Sequence, residues 1–132
     1  MQEKRYRVDG SARVCLERVA IVLFKPRLAE NIDAVARAAC NMGINRLVVV
    51  APLDLNRDRM AMMATGPAER LLDQMEVHDD LAQALKPFQY IVGTTARLGG
   101  VRNDYFSPRE IAARLVDISA ANDVALDRKS VV

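Results

Sequence analysis

Two polar side chains fall within a segment whose other residues are mostly alanines and larger apolar residues. Asn31 stands near the start of this segment, and Arg37 lies further along it. Packing alone requires neither an amide nor a guanidinium at these positions. An arginine keeps its proton at neutral pH and can bind a phosphate oxygen, while an asparagine both donates and accepts hydrogen bonds. Asn31 and Arg37 are therefore the first candidates for a binding or catalytic role.

The elements around these residues are predicted to form a strand, a helix and a second strand. The run Val19–Phe24 is continuously apolar, which is typical of a strand covered by helices on both faces. The helix is predicted over Glu30–Met42, and Gly43 provides the left-handed residue on which helices often end. The second strand is predicted over Arg46–Ala51. Three- and four-residue spacing predicts the apolar face of the helix, which comprises Val35, Ala38, Ala39 and Met42.

Strands and helices continue to alternate along the rest of the chain. The further predicted elements are two short helices within 58–74, a short strand at Met75–Val77, a helix capped at Asp79-Asp80, a buried strand over Tyr90–Thr95, a helix beginning at Ser107 with a capping box, and a strand beginning at Val124. This alternation predicts an α/β fold with a mainly parallel sheet flanked by helices.

Three loops are predicted to leave the carboxyl ends of the strands, where ligands bind in open α/β sheets. They cover residues 25–30, 52–57 and 94–102. No glycine-rich dinucleotide fingerprint and no phosphate-binding loop motif occurs in the sequence.

Composition restricts the class of protein only broadly. A chain of 132 residues fits one domain, and a net charge of +2 neither indicates nor excludes nucleic acid as a partner. The two cysteines are predicted to be free thiols in a reducing compartment. No apolar run is long enough for a transmembrane span. We therefore expect a cytoplasmic protein without a bound metal and without a membrane association.

Several motifs in order along the chain resemble the SPOUT class of RNA methyltransferases, in particular the TrmH/TrmJ-like (SpoU) ribose 2′-O-methyltransferases. The resemblance covers roughly 19–126. The motifs that carry it are Asn31…Ala36-Arg37-Ala38…Met42-Gly43, Leu47-Val48-Val49-Val50-Ala51-Pro52-Leu53, Val92-Gly93-Thr94-Thr95-Ala96-Arg97, Ser107-Pro108-Arg109-Glu110 and Asn122-Asp123-Val124-Ala125-Leu126.

This resemblance implies a SPOUT (α/β-knot) fold and the transfer of a methyl group from S-adenosyl-L-methionine to a ribose 2′-hydroxyl of RNA, tRNA more than rRNA. It assigns the catalytic role to Arg37, proposed in the family as a base assisted by phosphate, with Asn31 orienting it. The resemblance also implies a homodimer for the complete protein. The implied cofactor contacts are Thr94, Thr95 and Ala96, and the implied RNA contacts are Arg37, Arg27, Arg97 and Arg102.

Each of these residues also has a purely structural interpretation. Arg37 and Asp33 are four residues apart, so they could form an exposed helix ion pair. Asn31 could be a helix cap, Thr94 and Thr95 could be ordinary strand residues, and the arginines of the 94–102 loop could be solvated. A non-catalytic RNA-binding α/β module and a small-ligand α/β domain are therefore the alternative functions.

The sequence departs from the family pattern at two places. Asp33 stands where glycine is common in the family, and its carboxylate could hold the Arg37 guanidinium away from phosphate. The family continues after Leu126 into the trefoil knot, whereas residues 127–132 match neither the knot motifs nor a core pattern. We therefore expect an N-terminal extension over 1–18, a partial and inactive methyltransferase domain over 19–126 that ends before the knot, and a non-native tail over 127–132.

Overall fold

The computed structural model describes the backbone of residues 7–8, 11–60, 66–94 and 106–129. The strands are β1 (Arg7–Val8), β2 (Ser11–Ala12), β3 (Val19–Phe24), β4 (Arg46–Val50), β5 (Glu76–His78), β6 (Tyr90–Thr94) and β7 (Val124–Lys129). The helices are α1 (Ala29–Met42), α2 (Arg57–Met60), α3 (Pro67–Gln74), α4 (Leu81–Leu85) and α5 (Pro108–Ile118), with a 3-10 helix at Leu16–Arg18.

Five of the strands form the central sheet, in the order β5-β4-β3-β7-β6. All four pairings are parallel, so the strands end together at one edge, which we call the carboxyl edge. Phe24, the last residue of β3, pairs there with Val50 of β4 and with Lys129 of β7. The predicted α/β fold, a parallel sheet flanked by helices, is confirmed.

The alternating side chains of β3 divide the core between the two faces of the sheet. On one face Leu23 belongs to the larger cluster, which includes Ile32 of α1, Leu71 of α3 and Leu115 of α5. On the other face Val22 packs in a smaller cluster with Ala84 of α4. The two faces together explain why β3 is apolar at every position.

Helix α1 packs through a different face from the one predicted. Its buried residues are Ala29, Ile32, Asp33, Ala36 and Ala39. The predicted residues Val35, Ala38, Ala39 and Met42 do share a face, because all four line one surface groove, but Ala38 is exposed and the side chain of Met42 is 65% exposed. Spacing could not resolve this point, since alanines cover most of the helix surface and define no unique stripe. The predicted end of the helix is confirmed: Gly43 has a φ of 85°.

The segment before β3 and the last part of β7 pack on this core more closely than the sequence pattern predicted. Cys15 is buried, and its N–H donates to the Ser119 hydroxyl at 2.9 Å, so the segment before β3 contacts the body of the domain. β7 continues to Lys129, and Asp127 therefore pairs within the sheet. That residues 127–132 are non-native stays a prediction. β6 is an edge strand with an exposed Ile91, so the expectation of a buried strand there is wrong.

Candidate active site

A groove of about 520 Å³ runs along α1, over β3 and β7, and reaches the carboxyl edge at the end of β6. Asn31, near the start of α1, and Thr94, the last residue of β6, both contribute to its wall. The remaining lining is apolar and consists of Ile21, Leu23, Pro26, Ala34, Val35, Ala38, Ala39, Met42, Ile44 and Leu126. The groove therefore joins two segments that the sequence predicted separately, one catalytic and one for the cofactor.

The first turn of α1 is held by the loop that follows β4. The residue before the helix, Leu28, supplies no side-chain cap. The carboxylate of Asp54 lies beside this turn: the Asn56 N–H, the Arg59 guanidinium and the Ala29 N–H interact with it and lower the pKa of Asp54. A second carboxylate, that of Glu30, lies 3.6 Å from Arg59. This arrangement fixes the position of Asn31, which is in the first turn and is not the helix cap.

Arg37 lies outside the groove and faces the side of α1 that carries Asp33. The Arg37 Nε is 3.6 Å from Asp33 Oδ2, and the two side chains are 43% and 3% exposed. Neither the Nε nor Asp33 Oδ1 has a hydrogen-bond partner among the residues that the structure describes. The ion pair predicted by the i,i+4 spacing is therefore present, but Asp33 is buried, and the pair is a charge contact without a hydrogen bond.

Left-handed backbone occurs where β3 and β4 reach the carboxyl edge. Lys25 has a φ of 52° and Ala51 a φ of 47°. The Lys25 N–H donates to Val50 O at 2.8 Å, and the Ala51 N–H donates to His78 O at 2.7 Å. These bonds extend the strand pairing by one residue, and the left-handed backbone then turns the chain out of the sheet. Arg27 follows in the first of these loops and is exposed, and its contact role stays a prediction.

Thr94 is the one predicted cofactor contact whose position the structure describes. Its hydroxyl donates to Asp127 O at 3.3 Å, which ties the ends of β6 and β7 together. Thr95, Ala96, Arg97 and Arg102 lie outside the described residues, so their predicted roles stay predictions.

The structure thus brings Asn31 and Thr94 together and leaves Arg37 apart from them. Six residues on an α-helix correspond to a rotation of about 600°, which places Arg37 roughly 120° from Asn31 around the axis. No hydrogen bond joins the two side chains within the described part of the chain. That Asn31 orients Arg37 therefore stays a prediction.

Sequence reasoning did not select Lys25 and Asp54. No motif marks them, because their importance comes from the strand ends that the fold brings together. Within 7–8, 11–60, 66–94 and 106–129, no cluster of His, Cys, Asp or Glu could hold a metal ion. No helix in those same ranges is long and apolar enough to cross a membrane.

The fold and the groove at its carboxyl edge are typical of the α/β-knot class of RNA-modifying enzymes, and comparisons with known proteins agree. No family model matches the chain. A tRNA (cytidine/uridine/adenosine-2′-O-)-methyltransferase, TrmJ of Pseudomonas aeruginosa, is 34% identical over 112 residues, covering 84% of this chain and 43% of the relative. The chain spans less than half the length of the first curated relatives that it matches.

Solved structures give the same result. TrmJ from Z. mobilis ZM4 superimposes with a TM-score of 0.75 at 30% identity, over 83% of this chain and 49% of that one. A probable methyltransferase from Bordetella pertussis Tohama I has a TM-score of 0.65 at 30% identity, over 85% of this chain and 69% of that one. The chain belongs to the SpoU, TrmJ-like branch of the SPOUT RNA methyltransferases.

Proposed function

We propose that this chain forms the RNA-facing half of a tRNA ribose 2′-O-methyltransferase. The observation that carries the proposal is the shared groove: Asn31 of α1 and Thr94 of β6 line the part of one cavity that reaches the carboxyl edge. In open parallel sheets this edge is where ligands bind. The names of the related enzymes support tRNA rather than rRNA as the substrate.

Methylation of a ribose 2′-hydroxyl explains why the proposed site needs both a cation and an amide. A ribose 2′-hydroxyl is a weak nucleophile, so its proton must leave as the oxygen attacks the methyl carbon. Arg37 binds an RNA phosphate, as a guanidinium does with two parallel donors, and polarises the neighbouring hydroxyl, whose proton passes to an oxygen of that phosphate. Asn31, which lines the groove, is proposed to contact the substrate there and to orient Arg37.

The proposed methyl donor is S-adenosyl-L-methionine, which carries a transferable methyl group on a positively charged sulfur. The described lining of the groove includes only two polar side chains, Asn31 and Thr94. An adenine, a ribose, an amine and a carboxylate need more hydrogen-bonding partners than these two provide. The described residues therefore do not form a complete site for this cofactor, and we derive no step through it. Thr95 and Ala96 are proposed as further contacts.

The other parts of the proposal concern the surroundings of the groove. Arg27, Arg97 and Arg102 are proposed as phosphate contacts on the loops of the carboxyl edge. The complete enzyme is proposed to be a homodimer that acts in the cytoplasm, without a metal ion.

The test is a methyl-transfer assay on tRNA and rRNA transcripts with S-adenosylmethionine labelled in the methyl group. It compares the chain itself with a chimera in which the C-terminal half of Z. mobilis TrmJ follows Leu126. We expect the chimera to label tRNA and Arg37→Ala to lower that labelling at least a hundredfold, the lower range for a group that assists proton transfer. Arg109→Ala, which changes an exposed arginine on α5, is the matched control.

A second candidate function, RNA binding without catalysis, is favoured by the incomplete cofactor lining. It predicts salt-sensitive tRNA binding by the chain and no labelling by the chimera. A chain that binds neither tRNA nor rRNA would contradict both functions and favour a small-ligand domain.

A further inference from the structure

Lys25 occupies a position that the sequence did not single out. It is the first residue after β3, is exposed, and has the left-handed φ of 52°. Its ammonium lies 5.2 Å from the centre of the Phe24 ring, within the range of a cation–π contact. Phe24 packs with the cluster on the α4 face of the sheet, opposite the groove. The charge of Lys25 is therefore placed at the carboxyl edge, on the far side from Asn31.

Most arginines near this edge are already neutralised by carboxylates. Arg59 pairs with Asp54 and Glu30, and Arg57 pairs with Asp73. Lys25, by contrast, has no carboxylate within 4 Å among the described residues. An uncompensated cation at the ligand-binding edge of the sheet attracts anions more strongly than one that already has a partner.

The backbone strain does not by itself identify a function, as the neighbouring strand shows. Ala51 ends β4 with nearly the same φ, and its methyl group has no chemistry to contribute. The left-handed turns therefore serve to bend the two loops out of the sheet. The difference between the two positions is the positive charge of Lys25, which lies over the Phe24 ring.

We propose that Lys25 is a phosphate contact for RNA, and that the RNA backbone crosses the carboxyl edge from the groove beside α1 to the α4 face of the sheet. This inference rests on the proposed function, because it assumes an RNA substrate. Arg27, two residues further and also exposed, lies on the same loop and continues the path. The contact with the Phe24 ring places the exposed Lys25 ammonium at a defined position.

The experiment measures tRNA binding to the 132-residue chain by fluorescence anisotropy at several salt concentrations. Lys25→Met removes the charge and keeps a stem of similar length. Lys86→Met is the matched control, because Lys86 is exposed and follows α4, which leads back toward the start of β6. Both variants change the net charge equally, so a general loss of positive charge affects both in the same way.

We expect Lys25→Met to weaken binding and to reduce the slope of log affinity against log salt by about 0.7 to 0.9, the contribution of one phosphate contact. Between about 50 and 200 mM salt the defect should therefore shrink roughly threefold. Lys86→Met should leave the slope unchanged. Lys25→Gly, which relieves the left-handed strain, should show the same binding defect without a lower melting temperature.

Equal slopes for Lys25→Met and Lys86→Met would overturn the inference and leave the proposed function intact. If Lys25→Met unfolds and loses binding while Lys25→Gly stays folded and binds tRNA normally, Lys25 has a structural role. This result would overturn the inference as well. An absence of tRNA binding by the unaltered chain and by every variant would contradict both the inference and the proposed function.

Discussion

Replacing Asp33 by asparagine is expected to strengthen tRNA binding through Arg37. Asp33 is buried and holds its carboxylate 3.6 Å from the Arg37 Nε, so a phosphate must compete with it for the guanidinium. The Asp33 carboxylate makes no hydrogen bond through Oδ1, and the pair therefore lacks the geometry of a strong buried ion pair. The competition is electrostatic and should be relieved when the charge is removed.

The size of the effect follows from the exposure of the two partners. An exposed i,i+4 ion pair stabilises by about 0.3–0.5 kcal/mol. Burial of Asp33 strengthens the attraction, whereas the 43% exposure of Arg37 allows solvent to screen it. We take the coupling as about 1 kcal/mol, which corresponds to roughly a fivefold increase in affinity. Asparagine is preferred to glycine, since glycine in a helix interior costs about 1 kcal/mol of stability.

The assay is a double-mutant cycle on tRNA affinity, with Asp33→Asn, Arg37→Ala and the combined variant. Asp117→Asn on α5 is the control for an equal change of net charge, because Asp117 is exposed. The fivefold gain should appear in the Arg37 background and disappear in Arg37→Ala. A loss of affinity in Asp33→Asn, or the same gain with and without Arg37, would show that Asp33 does not compete with phosphate for the Arg37 guanidinium. In the chimera, Asp33→Gly should raise methyl transfer or leave it unchanged.

Three further predictions concern the stability of the fold, measured by thermal or urea unfolding. Ser119→Ala should cost about 1–3 kcal/mol, because it leaves the buried Cys15 N–H without its acceptor. Glu76→Gln should cost about 0.5–1 kcal/mol of stability at pH 7. The Arg46 hydrogen bond lowers the pKa of Glu76 from its ordinary value of 4.5. The stabilisation is therefore present above pH 4.5 and is lost as the pH falls through the lowered pKa of Glu76. Asp127→Asn should raise stability at pH 7, because burial raises the pKa of Asp127 and its charged form opposes folding. The difference in stability between the variant and the unaltered chain should vanish below about pH 3.8, where Asp127 is protonated in both the folded and the unfolded states.

Local patterns predicted the elements and their caps. The capping box at the start of α5 is present, with the Glu110 N–H donating to Ser107 Oγ at 3.2 Å and the Ser107 N–H to Glu110 Oε2 at 2.8 Å. Asp80 caps α4 through the Ala82 N–H as expected. These features depend on residues close in the sequence, so spacing is sufficient to find them.

Long-range placement could not be predicted from the same patterns. The burial of Asp33 depends on how α1 is rotated against the sheet and on its contacts with α2 and α3. The contact of Asp54 with the start of α1 depends on two loops that the pairing of β3 with β4 brings together. The exposure of Ile91 depends on the strand order, which places β6 at an edge. In each case the deciding contact joins segments far apart in the chain.

The most direct test of the central claim is mass spectrometry of nucleosides from tRNA incubated with S-adenosylmethionine and the chimera that continues after Leu126. We expect a ribose-methylated nucleoside that is abundant with the parent chimera and strongly reduced by Asn31→Ala and by Arg37→Ala. A folded, tRNA-binding chimera that produces no such nucleoside would contradict the central claim, as would one in which both substitutions leave the yield unchanged.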